Sequence, residues 1–486
     1  MKIERNAVWA TWLVVVGLLA GCASPSDAEH GSHDLPATSN VPLEKSAISA
    51  NELRDLAGQP FAEWRRRLDV VITAHPDDLA ARILRLRAED ALADFPAVMS
   101  DSGFILSDPL SSSAIRLEAL TCRAEALIQL KRAPEALVAA SEAAEIDPLD
   151  SHVLLARGWA RWESDHAQAE LALADIDRGL QLDPNPGGGY FRRGTILKFQ
   201  KKNDRAAEDF ERALQIMPND VATHLAYGVM SLQTENFERA RLHFEAAARL
   251  TPNDPSVWGW LTRADLALNR FDDAKVDANQ SIELGVTGSD LADAHASLAV
   301  ALQAQLDFVG ANRESQRALA IDPRSVLPGR AAAMQWLSGQ FAQAIAPFRE
   351  LAMAPDADPY TMLWLFIVRV RADPSAEAQA RAELVALAWP HRPHVWTDTL
   401  VDLLLEKTSL ETALAEADTA PTGELRAGQR CEADYYAAEQ LLMHGKQVQA
   451  TPLLEEAYWV CPSTYLEAQA VVAERRLLAA KRPATP

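Results

Sequence analysis

Residues 187–218 read GGGYFRRGTILKFQKKNDRAAEDFERALQIMP, and residues 221–252 read VATHLAYGVMSLQTENFERARLHFEAAARLTP. Laid side by side, Gly194 falls on Gly228, Ala206 on Ala240, Phe210 on Phe244, Ala213 on Ala247 and Pro218 on Pro252, every step being 34 residues. Generic alanine-rich helices would not keep glycine, phenylalanine and proline in step, so the interval marks an internal repeat. Each unit reads as helix, tight turn, helix. Gly194 and Ala206 belong where the two helices cross, because only small side chains let the backbones approach. Phe210 and Ala213 are three apart on the second helix and face the next unit. Pro218 stops that helix, since it has no amide hydrogen and disfavours helix in the residue before it. Asp220 then caps the next helix, and Asp254 does so again with Pro255 in the first turn.

The ladder extends in both directions. The next unit keeps part of the set, with His224 becoming Trp258, Phe237 becoming Phe271 and Ala240 becoming Ala274. Unit-ending prolines stand at Pro76, Pro109, Pro148, Pro184, Pro218, Pro252 and Pro323. The small positions recur as Ala124, Ala136 and Ala143, as Ala160, Ala172 and Gly179, as Ala299, Ala311 and Ala318, and as Ala332 and Ala344, where Phe348 joins them. This pattern resembles the tetratricopeptide repeat (TPR). The resemblance implies an all-α fold, an α-solenoid (right-handed superhelix) of about 10–11 TPR-type helical hairpins with a C-terminal capping helix. The array is expected over residues 48–417. Its stretch 358–418 is helical but degenerate, marked by Trp364, Phe366 and Trp396. Residues 418–430, with Pro421, Gly423 and Gly428, are expected as a loop. A C-terminal module follows over 431–486, closed by a helix from about Thr464 to Lys481 that carries Glu474, Arg475 and Arg476.

Composition agrees with a helical array. The 486 residues are 48% hydrophobic and 24% charged, with only 21 glycines. A formal net charge of −21 argues against nucleic acid, whose phosphates it would repel, and against a basic patch for anionic lipid.

The start of the chain carries a second signal. Lys2 and Arg5, diluted by Glu4, precede an apolar stretch from Ala7 to Leu19. At about 13 residues it is too short to span a bilayer and suits a secretory signal. Leu19-Ala20-Gly21-Cys22 then resembles the bacterial lipobox. The resemblance implies a signal peptide over 1–21, cleavage before Cys22 and lipidation of its thiol, a palmitate-type anchor. Ala23 after the cysteine implies the outer membrane, facing the periplasm. Residues 22–47 are rich in Ser, Pro, Asp and His and cannot offset their ordering entropy, so they read as a flexible tether. His30 and His33 lie there and are not expected to hold a metal.

Residues Cys431 to Tyr436, together with Cys461-Pro462, resemble the closing repeat of NlpI-like TPR lipoproteins. Those proteins act at the cell envelope as adaptors presenting substrates to proteases or cell-wall enzymes. Cys431 starts one helix of an antiparallel hairpin and Cys461 ends the other, so the two lie side by side and a disulfide is expected. Closing that loop would stabilise by roughly 3–4 kcal/mol in the chain-entropy model. Cys122, inside a first helix, is expected as a small buried residue.

Stacked hairpins bend so that their first helices line a concave face. The expected partner groove is lined by Arg157, Arg161, Phe191, Thr195, Lys198, Phe199, Leu225, Val229, Leu232 and Arg263. It would suit a protein or peptide with apolar side chains and one or two carboxylates. The Lys and Asn set by which some TPR proteins clamp a C-terminal carboxylate is missing. So are a phosphate loop, a His-Glu-x-x-His zinc helix, a Gly-x-Ser-x-Gly elbow and a dinucleotide fingerprint. No catalytic residue, metal or cofactor is expected, and Gly187-Gly188-Gly189 reads as a repeat-junction turn. His391 and His394, in a loop around Pro393, are weak as a metal pair. The expected function is a lipid-anchored periplasmic scaffold or adaptor that recruits a protease or cell-wall enzyme, with an assembly factor for a pilus secretin or outer-membrane barrel complex as the alternative and an envelope enzyme with an unrecognised site as a remote one.

Overall fold

The computed structural model describes residues 46–49, 52, 55–56, 59–354, 357–387, 395–462 and 465–480. Cys22, the tether histidines, His391 and His394 lie outside them. The described residues form two compact units, one ending at Pro252 and one beginning at Asn253.

The first unit opens with α1 (Phe61–Ala74) and continues as five hairpins: α2 (Leu79–Ala91) with α3 (Phe95–Ser107), α4 (Ser113–Gln129) with α5 (Ala133–Ile146), α6 (Ser151–Ser164) with α7 (Ala169–Leu182), α8 (Gly187–Phe199) with α9 (Asn203–Ile216), and α10 (Val221–Gln233) with α11 (Phe237–Leu250). The repeat landmarks sit where their chemistry requires. Ala206, Phe210, Ala213, Ala240, Phe244 and Ala247 are fully buried. A Cβ on Gly228 would lie 2.5 Å from the Phe244 ring, and one on Gly194 would lie 3.0 Å from Phe210, so the first crossing excludes a methyl group and the second leaves it little room. Asp150 and Asp220 cap α6 and α10 by accepting from Val153 N and Thr223 N, each cap contributing about 1 kcal/mol.

Four of the five turns inside the hairpins share one conformation, the α6–α7 turn instead running through a short 3-10 turn at His166–Gln168. Ala93, Lys131, Lys201 and Glu235, each two residues before a second helix, have φ of 54°, 61°, 60° and 58°. A left-handed residue reverses the chain there, at a cost of roughly 1–2 kcal/mol for a side chain with Cβ.

Successive first helices pack on one another, α2 on α4, α4 on α6, α6 on α8 and α8 on α10, and successive second helices do not reach comparable contact. The first helices therefore line the inner side of this stack.

The second unit contains α12 (Pro255–Ala267) with α13 (Phe271–Glu283), α14 (Gly288–Ala304) with α15 (Phe308–Ile321), α16 (Pro328–Leu337) with α17 (Phe341–Ala352), α18 (Pro359–Ala372) with α19 (Glu377–Leu387), α20 (Trp396–Leu404) with α21 (Leu410–Ala417), α22 (Gly423–Met443) with α23 (Gln447–Val460), and a closing α24 (Leu466–Ala480). The degenerate stretch is part of its core: Trp364 and Phe366 are buried on α18. Across both units the fold is an all-α solenoid of helical hairpins, and no strand occurs among the described residues.

Residues 418–430 differ from the expected loop. Thr422 caps α22 by accepting from Leu425 N, and the helix runs through Gly428. Gly428 serves packing: Tyr465 lies directly against its backbone, where a Cβ would collide with the hydroxyl. Cys431 and Cys461 are joined in a disulfide with Cα atoms 4.9 Å apart. Cys122 is half-buried with a free thiol, which burial pushes up.

Candidate partner-binding face

A recurrent polar rung joins the two helices of several hairpins. The seventh residue of the second helix is a buried acid, and a cation of the first helix donates to it. Asp101 takes Arg82 at 2.9 Å and Arg85 at 2.7 Å. Asp175 takes Arg157 at 2.5 Å and Arg161 at 2.7 Å. Asp209 takes Arg193 at 2.6 Å. In the second unit the His295 ring occupies the cation's place, its Nδ1 2.9 Å from Glu314. The hairpin α10–α11 breaks the series: His243 stands in the acid's place, its Nδ1 3.1 Å from His224 Nδ1, with Tyr227 stacked on its ring. Burial, then His224 and Arg239, lowers His243 to about 4.

These rungs change the role of two expected groove residues. Arg157 and Arg161 both turn to Asp175 of their own hairpin, so their charge is already matched. Two others offer a partner little surface, Val229 being 6% and Leu232 5% exposed. Leu225 and Phe191 are half-buried, Phe191 lying near Trp159 and Phe210. The Thr195 hydroxyl donates to Phe191 O at 2.9 Å. Arg263 belongs to the second unit, where it meets Asp293 at 3.1 Å and lies 4.4 Å over the Trp260 ring. Its guanidinium is lowered by burial even so.

Lys198 and Phe199, at the end of α8, fit the expectation best. Phe199 is 56% exposed and closes an aromatic corner with Trp162 at 4.9 Å and His166 at 5.2 Å. Lys198 is enclosed by protein, and burial alone lowers its ammonium.

Other residues of this face were not singled out from the sequence. Arg192 of α8 reaches past α6 to Glu125 of α4 at 2.7 Å. Arg87 of α2 pairs with Glu118 of α4 at 2.6 Å. Asp90, also on α2, is open to solvent yet surrounded. Burial, then Glu125 and Glu118, raises its carboxyl to about 6. Glu163 of α6 is raised by burial, against the pull of Lys131, His166 and Arg192. The repeat frame contained the signal for Asp90: it occupies the same place in α2 that Lys198 occupies in α8. Among the described residues, no group of three or more His, Cys, Asp or Glu is placed to hold a metal ion. No helix among them is long and apolar enough to cross a membrane.

A stack of two-helix units on one frame, with the first helices inward, defines a helical repeat protein. Residues 188–220 match the tetratricopeptide repeat family. That repeat is set among hairpins of the same build, so the match and the fold agree on a tetratricopeptide-type helical repeat. No curated protein matches the chain. Solved structures similar to it include pilF of Pseudomonas aeruginosa, at 20% identity over 44% of this chain and 95% of that one, with a TM-score of 0.39. PilW, described as a widely conserved type IV pilus biogenesis factor, is 16% identical over 43% of this chain and 95% of that one, TM-score 0.38. YrrB, described as a TPR protein with an unusual peptide-binding site, is 20% identical over 38% of this chain and 93% of that one, TM-score 0.35.

Proposed function

We propose that this protein is a lipid-anchored scaffold of the bacterial envelope that holds a protein or peptide partner on the inner face of its first unit. One observation carries the binding role. At the C-terminal end of α8 that face carries an exposed phenylalanine beside an enclosed lysine that meets no carboxylate among the described residues, an arrangement that a packed, self-sufficient surface does not need. Ordered apolar side chains left in water and enclosed charges left unmatched are both unfavourable in the free protein, and a partner relieves both. The anchoring rests on Lys2 to Cys22 and on the resemblance to the lipobox. With Cys22 acylated, the following 25 or so residues would give the body a reach of roughly 25–30 Å from the membrane.

A photocrosslinking amino acid at Phe199 tests the binding role in intact envelopes. The same probe at Leu171 of α7, also 56% exposed, is the control. Discrete adducts from position 199 and none from position 171 are expected. Equal adducts from both would overturn the assignment of the inner face. Cys22→Ser should move the protein from the membrane to the periplasmic fraction, and a variant that stays membrane-bound would overturn the anchor.

A further inference from the structure

Asp90 is the twelfth residue of α2 and Lys198 the twelfth of α8. They occupy one register on the inner side of the same stack, three first helices apart. Two ion pairs cross the face between them, Arg87 with Glu118 and Arg192 with Glu125, and Glu163 of α6 lies in the field of Lys131, His166 and Arg192. At the two ends the matching stops. Among the described residues no cation lies against Asp90, and the charges acting on it are both carboxylates. Among the same residues no carboxylate lies against Lys198. Both groups reach water while protein surrounds them, which denies each the full hydration of an open surface. The face is therefore negative at its α2–α4 end and positive at its α8 end, with Phe199 and Trp162 beside the positive end.

We propose, resting on the inner-face reading above, that the partner presents an extended segment carrying a basic side chain to Asp90 and a carboxylate to Lys198. Three interhelix steps of about 8–10 Å separate the sites along the helix axes, less on the concave side. An extended chain crosses that span in roughly six to nine residues. The apolar residue next to the carboxylate rests on Phe199. Matched charges at both ends fix where the segment sits and exclude segments carrying two acids or two bases.

The test is selection from a phage-displayed library of random peptides about twelve residues long, against the full chain without its signal. Wild type is expected to enrich peptides that hold one basic and one acidic residue six to nine positions apart. Lys198→Glu should exchange the acid for a second base, and Asp90→Lys should exchange the base for a second acid. One selected peptide, synthesised, then gives affinities by fluorescence anisotropy. Asp90→Asn should weaken it about tenfold and should have no further effect on the peptide whose basic residue is replaced by glutamine. Its effect should remain in full on the peptide whose acid is replaced. Enriched peptides without the charge pair, or equal losses on both altered peptides, overturn the charge order while leaving the inner-face reading standing. If no peptide is enriched, both readings fall together.

Discussion

The hairpin α8–α9 and the hairpin α22–α23 share a plan and differ in where their charges find partners. Arg193 of α8 reaches Asp209 at 2.6 Å and Asp177 at 2.7 Å, both 16 residues away in sequence. In the last hairpin, Glu439 of α22 is fully buried and is met at 2.7 Å by Arg371 of α18, 68 residues away. The same guanidinium holds Glu474 of α24 at 3.0 Å, 103 residues away. Nearby, Tyr360 of α18 donates to Glu432 at 3.0 Å, Trp396 of α20 donates to the same carboxylate, and Tyr436 donates to Glu467 at 3.1 Å. The first arrangement repeats from hairpin to hairpin, each buried acid being met by a partly exposed arginine of its own hairpin. The second is a set of buried polar pairs that tie α18, α20, α22 and α24 together. A local rung holds one hairpin, whereas these pairs hold four helices distant in sequence.

That contrast is sharpest for the two arginines. Arg371→Met leaves two buried carboxylates without their cation and should destabilise the second unit by about 3–5 kcal/mol. Arg193→Met leaves one buried carboxylate, Asp209, without its cation and should cost the first unit less, about 1–3 kcal/mol. Denaturant unfolding of the two variants checks both values, and equal losses would erase the distinction.

The two regions should also answer pH in opposite directions. Burial, and for Glu432 the Glu467 carboxylate, raises Glu432 and Glu467, so this pair keeps a proton that the unfolded chain has lost. Its contribution is complete below the unfolded carboxylate range near 4.3 and is lost as pH rises. His243 runs the other way. With its value lowered to about 4, it stabilises above about 6.5 and loses that contribution as pH falls. Glu432→Gln should flatten the alkaline limb of the second unit, and His243→Gln the acid limb of the first. Hydrogen exchange followed separately in residues 59–252 and 357–480 across pH 5–8 measures each limb.

Smaller effects test the repeat frame itself. Gly228→Ala forces a methyl group into the Phe244 ring and should cost about 1–3 kcal/mol, more than Gly194→Ala, whose clash is softer. Thermal unfolding of the pair ranks them. Lys201→Gly should instead stabilise by up to about 1 kcal/mol, because its φ of 60° is one that glycine adopts without strain. The second unit has glycine at two of the matching turns, Gly339 and Gly445, and Asn269 and Leu306 at two others. A loss of stability in Lys201→Gly would mean that the entropy of the unfolded chain outweighs the strain.

Sequence alone determined the helical hairpin, its period, its caps and its stops, because each follows from neighbours within about 34 residues: Gly228 against Phe244, Asp220 on Thr223, Pro218 after α9. It also placed Phe199 and Lys198 on the inner face, since the frame assigns each residue a side. Tertiary structure decided which charges remain available there. Arg157 and Arg161 have the spacing of groove residues, but Asp175 lies within their reach and takes them both. Asp90 gains its place only when α4 brings Glu118 and Glu125 beside it. Gly428 reads as a helix breaker until Tyr465, on a distant turn, is seen to need the space. Helix formation is governed by local sterics and hydrogen bonds, which a sequence displays. The partner of a long charged side chain is set by which helices the stack brings together, and that is fixed only when the chain has folded.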